Sequence, residues 1–196
     1  DFINDKNPDI LCIQEFSSSA TIDLKVYKYK YILMAGNKIK SGQAIFSKFP
    51  IIDQGSIVFP NSNNSVILDE INDNIEVINK SKSRMLYRRI SKAFKQQQQQ
   101  AELFKEHESR CEYPVIICGD MNNSAYSYVY RNIKGKLKDS FEEAGTGFGQ
   151  TYKFKYYPAR IDYIFADERM IVKEFQSFSD MKDSDHYPIM AILSLE

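Results

Sequence analysis

The side chains best suited to chemistry follow one short apolar stretch near the middle of the chain. Residues Val115 to Cys118 are all apolar or thiol, and Gly119 ends the run. The pattern predicts a strand buried on both faces, from whose end Asp120 and Asn122 emerge together. Reacting groups collect at such edges because the strand fixes their positions and the following loop leaves them accessible. The competing interpretation is an Asx turn, in which both side chains satisfy only local backbone groups.

Three further candidates stand at the ends of other predicted strands. Glu15 ends the apolar run that starts at Ile10. A buried carboxylate at this place needs a partner, because an unpaired charge out of water is costly. A metal ion would be one partner, and an ion pair with arginine or lysine is the alternative. Asp162 opens an apolar strand and His186 directly precedes the closing one, so the carboxylate could hold the imidazole in one tautomer.

Composition limits what the chain can be. Its 196 residues are 43% apolar, which suffices for one core, so we expect a single domain over residues 1–196. The 26 basic and 26 acidic residues cancel, so an anionic substrate must be bound locally rather than attracted by an overall field. The three cysteines lack a Cys-x-x-Cys spacing and indicate buried reduced thiols. We see no signal peptide and no apolar run of about 20 residues, so we expect a soluble chain without membrane contact. The sequence does not determine the oligomeric state, for which a monomer is the default expectation.

Apolar periodicity and turn residues predict many short strands around one long helix. The chain is expected to begin with the end of a helix that stops at Asn7-Pro8. The helix expected at 83–107 has an apolar face, continues through the glutamine run 96–100 and places His107 at the surface. The seven basic residues in 80–95 either meet phosphates or form an ordinary solvated helix face. Strands are expected at 10–16, 27–35, 41–48, 51–59, 65–69, 75–79, 115–120, 160–167 and after 188, the early ones as an antiparallel meander.

The later part of the chain is predicted to contain one short helix and one loop. Residues 126–132 are expected to be helical, and 135–141 to return toward the sheet. The glycines of 145–152 serve a turn, because this segment neither follows a strand nor opens a helix, as a nucleotide-binding fingerprint would.

Four ordered motifs resemble those of the endonuclease/exonuclease/phosphatase superfamily. They are Asp9-Ile-Leu-Cys-Ile-Gln-Glu, Gly119-Asp-Met-Asn, Arg160-Ile-Asp-Tyr and Ser184-Asp-His-Tyr-Pro, and they run from the first residues to the last. The resemblance implies a DNase I-like α/β (α+β) fold, a four-layered sandwich of two mixed β-sheets face to face with helices outside. It also implies hydrolysis of phosphodiester or phosphomonoester bonds with Mg²⁺ or Mn²⁺.

Roles for the candidate residues follow from the same resemblance. Asp120 and Asn122 resemble the pair that aligns and activates the attacking water. Asp162 resembles the acid that orients the histidine, and His186 the histidine that contacts the scissile phosphate. Phosphoryl transfer requires such alignment of water and neutralisation of the phosphate oxygens.

Metal binding is implied for two carboxylates. Glu15 resembles the metal-binding glutamate, and Asp185 resembles a second ligand of the metal or of its water. Both offer the oxygen donors that a hard dication prefers. Arg160 and Asn79 are additional site candidates.

Two departures from the family pattern stand out. The family opens with a strand carrying a metal-site asparagine, which we expect before Asp1 and therefore outside this sequence. Its middle motif is Asn-x-His-Leu, whereas this chain reads Asn79-Lys-Ser-Lys, so no histidine follows the candidate asparagine. We expect a segment near 79–83 to have been left out of the chain, and loss of one catalytic histidine is the alternative.

The motifs indicate the reaction rather than the leaving group. Our leading hypothesis is a nuclease-like phosphodiesterase acting on a phosphate ester, with nucleic acid among the candidate substrates. The alternatives are a non-catalytic phosphate-binding domain that retains the fold and a lipid or inositol phosphate hydrolase. Tyr152, Phe154, Tyr156 and Tyr157 could stack a base or a lipid headgroup, although such aromatics are commonly core or rim.

Overall fold

The structure is a computed structural model that describes residues 2–17, 24–34, 41–56, 95–181 and 183–195. The chain forms two compact units. The first comprises Asp1–Ile57 with Cys118–Asp120, and the second comprises Val58–Ile117 with Met121–Glu196.

The first unit is an antiparallel sheet preceded by a short helix. Helix α1 (Phe2–Lys6) leads into β1 (Ile10–Ser17), β2 (Tyr29–Met34) and β3 (Ser41–Ser47), which lie in the order β1-β3-β2. These elements confirm the predicted helix end and the first three strands. The β2–β3 pairing fits the predicted meander, while β1 pairs with the other edge of β3, which alternation of apolar residues could not indicate. The core of the unit consists of Tyr27, Ala44 and Phe46.

The predicted strand at 51–59 is wrong over its described part. Residues 51–56 contain no strand, and Ile52 is 90% exposed. Pro50 precedes this segment, and the Asp53 carboxylate accepts a hydrogen bond from the Gln54 N–H at 2.8 Å, a local turn contact that competes with sheet pairing. The predicted turn at 36–37 and strands at 65–69 and 75–79 lie outside the described residues.

The second unit surrounds a mixed aromatic and aliphatic core. Its elements are a helix α2 at 95–108, β4 (Ile116–Asp120, shared with the first unit), α3 (Tyr128–Lys134), β5 (Lys138–Asp139), α4 (Ser140–Ala144), β6 (Asp162–Ala166), β7 (Met170–Ser177) and β8 (Ile189–Leu195). The strands form a sheet in the order β4-β6-β5 and an antiparallel β7–β8 pair. The buried cluster comprises Ala101, Val129, Tyr130, Ile133, Leu137, Tyr163 and Phe165.

Helix α2 confirms the apolar face predicted from the sequence. Ala101 is 1% exposed, and Phe104 packs against the buried cluster of the second unit. The glutamine run is helical, and His107 is exposed, both as predicted. The predicted basic segment 80–95 lies outside the described residues except for Lys95, which is exposed.

Capping explains where the short helices differ from prediction. Helix α3 begins two residues later than expected because the Ser127 hydroxyl accepts the Tyr130 N–H at 3.0 Å and so caps the first turn. Helix α4 was not predicted, and Asp139 caps it through a hydrogen bond from the Phe141 N–H at 2.9 Å. Of the segment 135–141, only the two residues of β5 join the sheet. Strand β7 was also not predicted.

Strand β4 confirms the central prediction in position but not in burial. It ends at Asp120, and Ile117 packs against the core of the second unit. Ile116 on the opposite face is 40% exposed, because side chains alternate across a strand and only one face meets this core. All three cysteines are free, as expected, but exposed rather than buried. Among the described helices, none has the length and apolar character needed to cross a bilayer.

Candidate active site

The end of strand β4 lies beside the start of β6. The Met121 N–H, directly after Asp120, donates a hydrogen bond of 2.8 Å to the carbonyl of Ile161, directly before Asp162. On the other side of the strand, the Asp120 N–H donates to the side-chain oxygen of Gln14 at 3.0 Å. The first of these hydrogen bonds joins the residue after Asp120 to the residue before Asp162, and the second joins Asp120 itself to β1.

The two asparagines after β4 have different environments. Asn122 is exposed and has a φ of 49°, a left-handed conformation that asparagine adopts more readily than most residues. Asn123 is buried, and its amide donates to the carbonyl of Met121 at 2.9 Å and to the side chain of Gln97 at 3.0 Å. The local backbone-satisfying role of an Asx residue is thus observed at Asn123, the neighbour of the predicted site residue.

Asp162 and His186 form a directly hydrogen-bonded pair. The His186 Nδ1 atom lies 3.1 Å from Oδ1 and 3.0 Å from Oδ2 of Asp162. An ionised carboxylate only accepts hydrogen bonds, so Nδ1 carries the hydrogen. In the neutral ring Nε2 is then an acceptor, and in the charged ring it is a donor. The side chains are 12% exposed for Asp162 and 34% exposed for His186, so solvent reaches the imidazole.

Asp120, at the end of β4, is a further potential ligand. Asp120 and Asp162 offer carboxylate oxygens, and His186 offers an imidazole nitrogen. The two carboxylates are the kind of oxygen donor that Mg²⁺ or Mn²⁺ prefers, so the donor set fits the predicted dication. Since Nδ1 of His186 is occupied by Asp162, that nitrogen suits orientation of the ring better than metal ligation.

Thr151 fixes both partners of the Asp162–His186 pair. It is fully buried, and its hydroxyl oxygen accepts hydrogen bonds from the Ile161 and Asp162 N–H groups, both at 3.0 Å. Its carbonyl accepts the N–H of Tyr187, next to His186, at 2.7 Å. One side chain and one backbone group of the same residue therefore hold the segments that carry the acid and the imidazole.

Tyr152 lies against the imidazole. It forms an antiparallel bridge with His186, and the two rings are 4.8 Å apart between centroids at 58°. Aromatic packing of this kind restricts the ring beyond what the hydrogen bond to Asp162 achieves. The position of His186 is therefore set from two directions.

Arg160 occupies a separate, buried environment. Its Nη1 atom lies 2.6 Å from Oδ2 of Asp139, and the side chains are 11% and 1% exposed. The guanidinium packs over Phe141 and Tyr163, at 4.6 Å and 4.8 Å from the ring centroids. Burial opposes the charged form, but the hydrogen bond and charge of Asp139 outweigh it and raise the pKa of Arg160 above its ordinary value. A role of Arg160 in catalysis stays a prediction.

The other predicted ligands are located as follows. Glu15 lies in the first unit, at the irregularity between Ile13 and Phe16 of β1, with a φ of 53°. It is exposed, so the premise of a buried carboxylate is wrong, because the irregularity turns the strand at this residue. Asp185 is exposed, and its carbonyl accepts the Lys153 N–H at 2.7 Å. Asn79 lies outside the described residues. The metal-binding roles of Glu15 and Asp185 stay predictions.

Sequence reasoning missed Thr151. The available signal was its position between a glycine-rich loop and an aromatic run, nine residues before Arg160. That signal is weak, because a threonine in a loop is ordinarily a solvated or turn residue. Its role depends on the fold, which buries the side chain and directs two backbone N–H groups to its hydroxyl oxygen.

Comparisons with known proteins agree with the motifs. The sequence profile of the Endonuclease/Exonuclease/phosphatase family matches residues 1–186. No curated protein matches the sequence in the corresponding search. An endonuclease/exonuclease/phosphatase from Bacteroides vulgatus is similar in structure, with a TM-score of 0.70, 20% identity, and coverage of 100% of this chain and 88% of that one.

Two other solved structures have described functions. A mannosyl-6-phosphatase from Bacteroides thetaiotaomicron gives a TM-score of 0.61 at 18% identity, covering 99% of this chain and 88% of that chain. An AP endonuclease from Archaeoglobus fulgidus gives 0.59 at 15% identity, covering 99% and 92%. These similarities confirm the predicted DNase I-like α/β sandwich class. The chain belongs to the endonuclease/exonuclease/phosphatase family.

Proposed function

We propose that this protein is a Mg²⁺- or Mn²⁺-dependent phosphoester hydrolase that cleaves phosphodiester bonds in a nuclease-like reaction. The observation that carries the proposal is the hydrogen bond of the Asp162 carboxylate to Nδ1 of a partly exposed His186. A carboxylate–imidazole pair in contact with solvent can hold a proton at a defined atom and present it to a substrate. Family membership supports the reaction class.

Each residue of the site has a role in this proposal. Asp162 keeps the hydrogen on Nδ1 of His186, so the other ring nitrogen meets the phosphate. In the charged ring, Nε2 donates a hydrogen bond to a non-bridging phosphate oxygen and offsets the charge that builds there. Asp120 and Asn122 align the attacking water opposite the leaving group. Thr151 maintains the geometry of the pair, since catalysis is sensitive to displacements of about 1 Å.

The predicted metal would be held by carboxylate oxygens. Glu15 and Asp185 are the proposed ligands, with the Asp120 carboxylate as a further oxygen donor. When bound, such a dication polarises the phosphoryl oxygens and lowers the pKa of a coordinated water. The carboxylate-rich composition of the site supports this choice of metal over softer ions.

The similar structures support a phosphoester substrate without selecting one. One is described as a sugar phosphatase and another as an AP endonuclease, so both phosphomonoester and phosphodiester substrates occur in this fold. We place the diester first because the exposed side chains of Lys153, Tyr156 and Tyr157, in the segment that follows Tyr152, suit a nucleic-acid chain better than a small sugar.

Hydrolysis of bis(p-nitrophenyl) phosphate tests the proposal. We expect turnover with Mg²⁺ or Mn²⁺ that EDTA abolishes, and a loss of about 10²–10⁴-fold in kcat for His186→Ala, the range of general acid–base contributions. Asp120→Ala should also be strongly impaired. His107→Ala is the matched control, because His107 is the other of the two histidines and is exposed on α2.

Two results would contradict the proposal. One is an equal effect of His107→Ala and His186→Ala, which would exclude a specific role for the pair. The other is the absence of metal-dependent turnover in the intact protein, which would favour the non-catalytic binding domain. Faster hydrolysis of p-nitrophenyl phosphate than of the diester would instead assign a phosphomonoesterase.

A further inference from the structure

The loop of residues 153–158 follows Tyr152, whose ring packs against the imidazole of His186. At its start, Tyr152 bridges to both His186 and Ala159, and Ala159 is the residue where the loop ends. The Ala159 carbonyl accepts the N–H groups of Thr151 and Tyr152 at 2.9 Å and 3.1 Å. The Lys153 N–H donates a hydrogen bond of 2.7 Å to the carbonyl of Asp185, directly before His186. Both ends of the loop are thus fixed by backbone hydrogen bonds at the candidate active site.

The aromatic side chains of this loop form a supported but exposed cluster. The ring of Phe154 packs edge to face against Tyr156 at 5.5 Å and against Tyr157 at 4.8 Å between centroids. Tyr156 is nevertheless 76% exposed and Tyr157 61% exposed. A contiguous group of exposed aromatic rings is suited to binding, because apolar surface gains free energy when it is removed from water.

The charges of the loop identify the kind of partner. Lys153 and Lys155 are exposed, and no acidic residue occurs between Gln150 and Arg160. The Lys155 Nζ atom lies 5.8 Å from the ring centroid of Tyr156. Because the net charge of the chain is zero, attraction of a polyanion has to come from a local group of this kind.

We propose that residues 153–157 form a stacking platform for single-stranded nucleic acid and that this is the substrate class of the enzyme. The proposal rests on the phosphodiesterase function proposed above. Bases of a single strand stack on Tyr156 and Tyr157, while Lys153 and Lys155 contact neighbouring phosphates. The bases of a duplex are already stacked on each other, so they cannot offer their faces to these rings.

Binding measured without metal tests the platform separately from catalysis. Fluorescence anisotropy would follow a fluorescein-labelled single-stranded oligonucleotide of about 12 nucleotides in EDTA, a length within the usual range of site sizes. We expect the double variant Tyr156→Ala/Tyr157→Ala to raise Kd by about tenfold or more, since stacking on two rings is lost. Tyr113→Ala is the matched control, because Tyr113 is 72% exposed and precedes the opposite end of β4 from Asp120.

Salt dependence tests the lysines. The variant Lys153→Ala/Lys155→Ala should reduce the slope of log Kd against log salt by about 1.4, since each phosphate contact of a single strand contributes about 0.7. Lys136→Ala, an exposed lysine after α3, is the corresponding control and should leave the slope unchanged. A blunt duplex should compete more weakly than its separated strands.

The outcomes separate the platform from the proposed function. An unchanged Kd in the double tyrosine variant, an equal effect in Tyr113→Ala, or equal binding of duplex would overturn the platform. The platform would also be overturned if the double tyrosine variant lost binding to anionic lipid vesicles or to mannose 6-phosphate but still bound single strands. Turnover of bis(p-nitrophenyl) phosphate by the unmodified protein is measured in parallel, and its absence contradicts the hydrolase function whatever the anisotropy shows.

Discussion

Arg160 and Asp162, two residues apart at the start of β6, each belong to an acid–base pair, and the environments of the two pairs differ. Arg160 is paired with Asp139 inside the second unit, where both side chains are nearly inaccessible. Asp162 is paired with His186, whose ring is 34% exposed. The rings of Phe141 and Tyr163 pack against the guanidinium of the first pair, whereas solvent reaches the imidazole of the second.

The start of β6 therefore contributes one residue to a stabilising pair and another to a pair suited to chemistry. A guanidinium with a raised pKa stays charged at any physiological pH, so the ion pair between Arg160 and Asp139 persists and can stabilise the fold. An imidazole can change its charge in the physiological range, so the Asp162 pair can take part in a reaction. Removing a member of the first pair should therefore affect folding most, and removing a member of the second should affect turnover most.

The largest expected effect on stability is that of Arg160→Met. It leaves the buried Asp139 carboxylate without its cation, and breaking a buried pair in this way costs about 3–5 kcal/mol. Urea unfolding followed by circular dichroism would measure the loss. Arg110→Met, which removes an exposed pair with Glu106 on α2, is the control and should cost much less. Similar losses for the two variants would show that the Arg160 pair is no more important than a surface contact.

Substitution of Thr151 should have an intermediate effect on both folding stability and turnover. Thr151→Val keeps the shape of the side chain but removes the oxygen that accepts two backbone N–H groups, at a cost of about 1–3 kcal/mol. Thr151→Ser keeps this oxygen. We therefore expect kcat for bis(p-nitrophenyl) phosphate to fall by about tenfold in the valine variant, the result of a displaced Asp162–His186 pair. The serine variant should retain most of the rate. Equal rates in both variants would limit Thr151 to packing.

The smallest expected effect concerns Asp167 at the far end of β6. Its pKa is lowered, mainly by hydrogen bonds from the Arg169 side chain, and it also accepts the Val115 N–H at 3.3 Å. A carboxyl with a lowered folded-state pKa stabilises the fold above its unfolded pKa of about 4, and this contribution is lost as the pH falls further. The stability difference between wild type and Asp167→Asn should therefore be larger at pH 7 than at pH 3. A stability difference that did not change with pH would contradict the lowered pKa of Asp167.

The candidate residues Asp120, Asp162 and His186 could be named from the sequence because they stand at strand ends, and their catalytic roles stay predictions. Apolar runs before Asp120 and after Asp162 and His186 indicated strands, and polar residues at strand ends indicated a site. The Asp139–Arg160 pair was not predictable, because its partners come from different elements and neither has a local signal. The burial of Thr151 could not be predicted from the sequence for the same reason. The exposure of Glu15 also escaped prediction, since an irregularity in pairing depends on the neighbouring strand.

In the proposed function, Asp162 and His186 act as one catalytic pair. A double-mutant cycle with Asp162→Asn, His186→Ala and the double variant tests it, with kcat/KM for metal-dependent hydrolysis of bis(p-nitrophenyl) phosphate as the readout. Because residues that act as a unit are not additive, we expect the double variant to be within about twofold of His186→Ala. If the two losses instead multiplied, each residue would act independently and the account of the pair would be wrong.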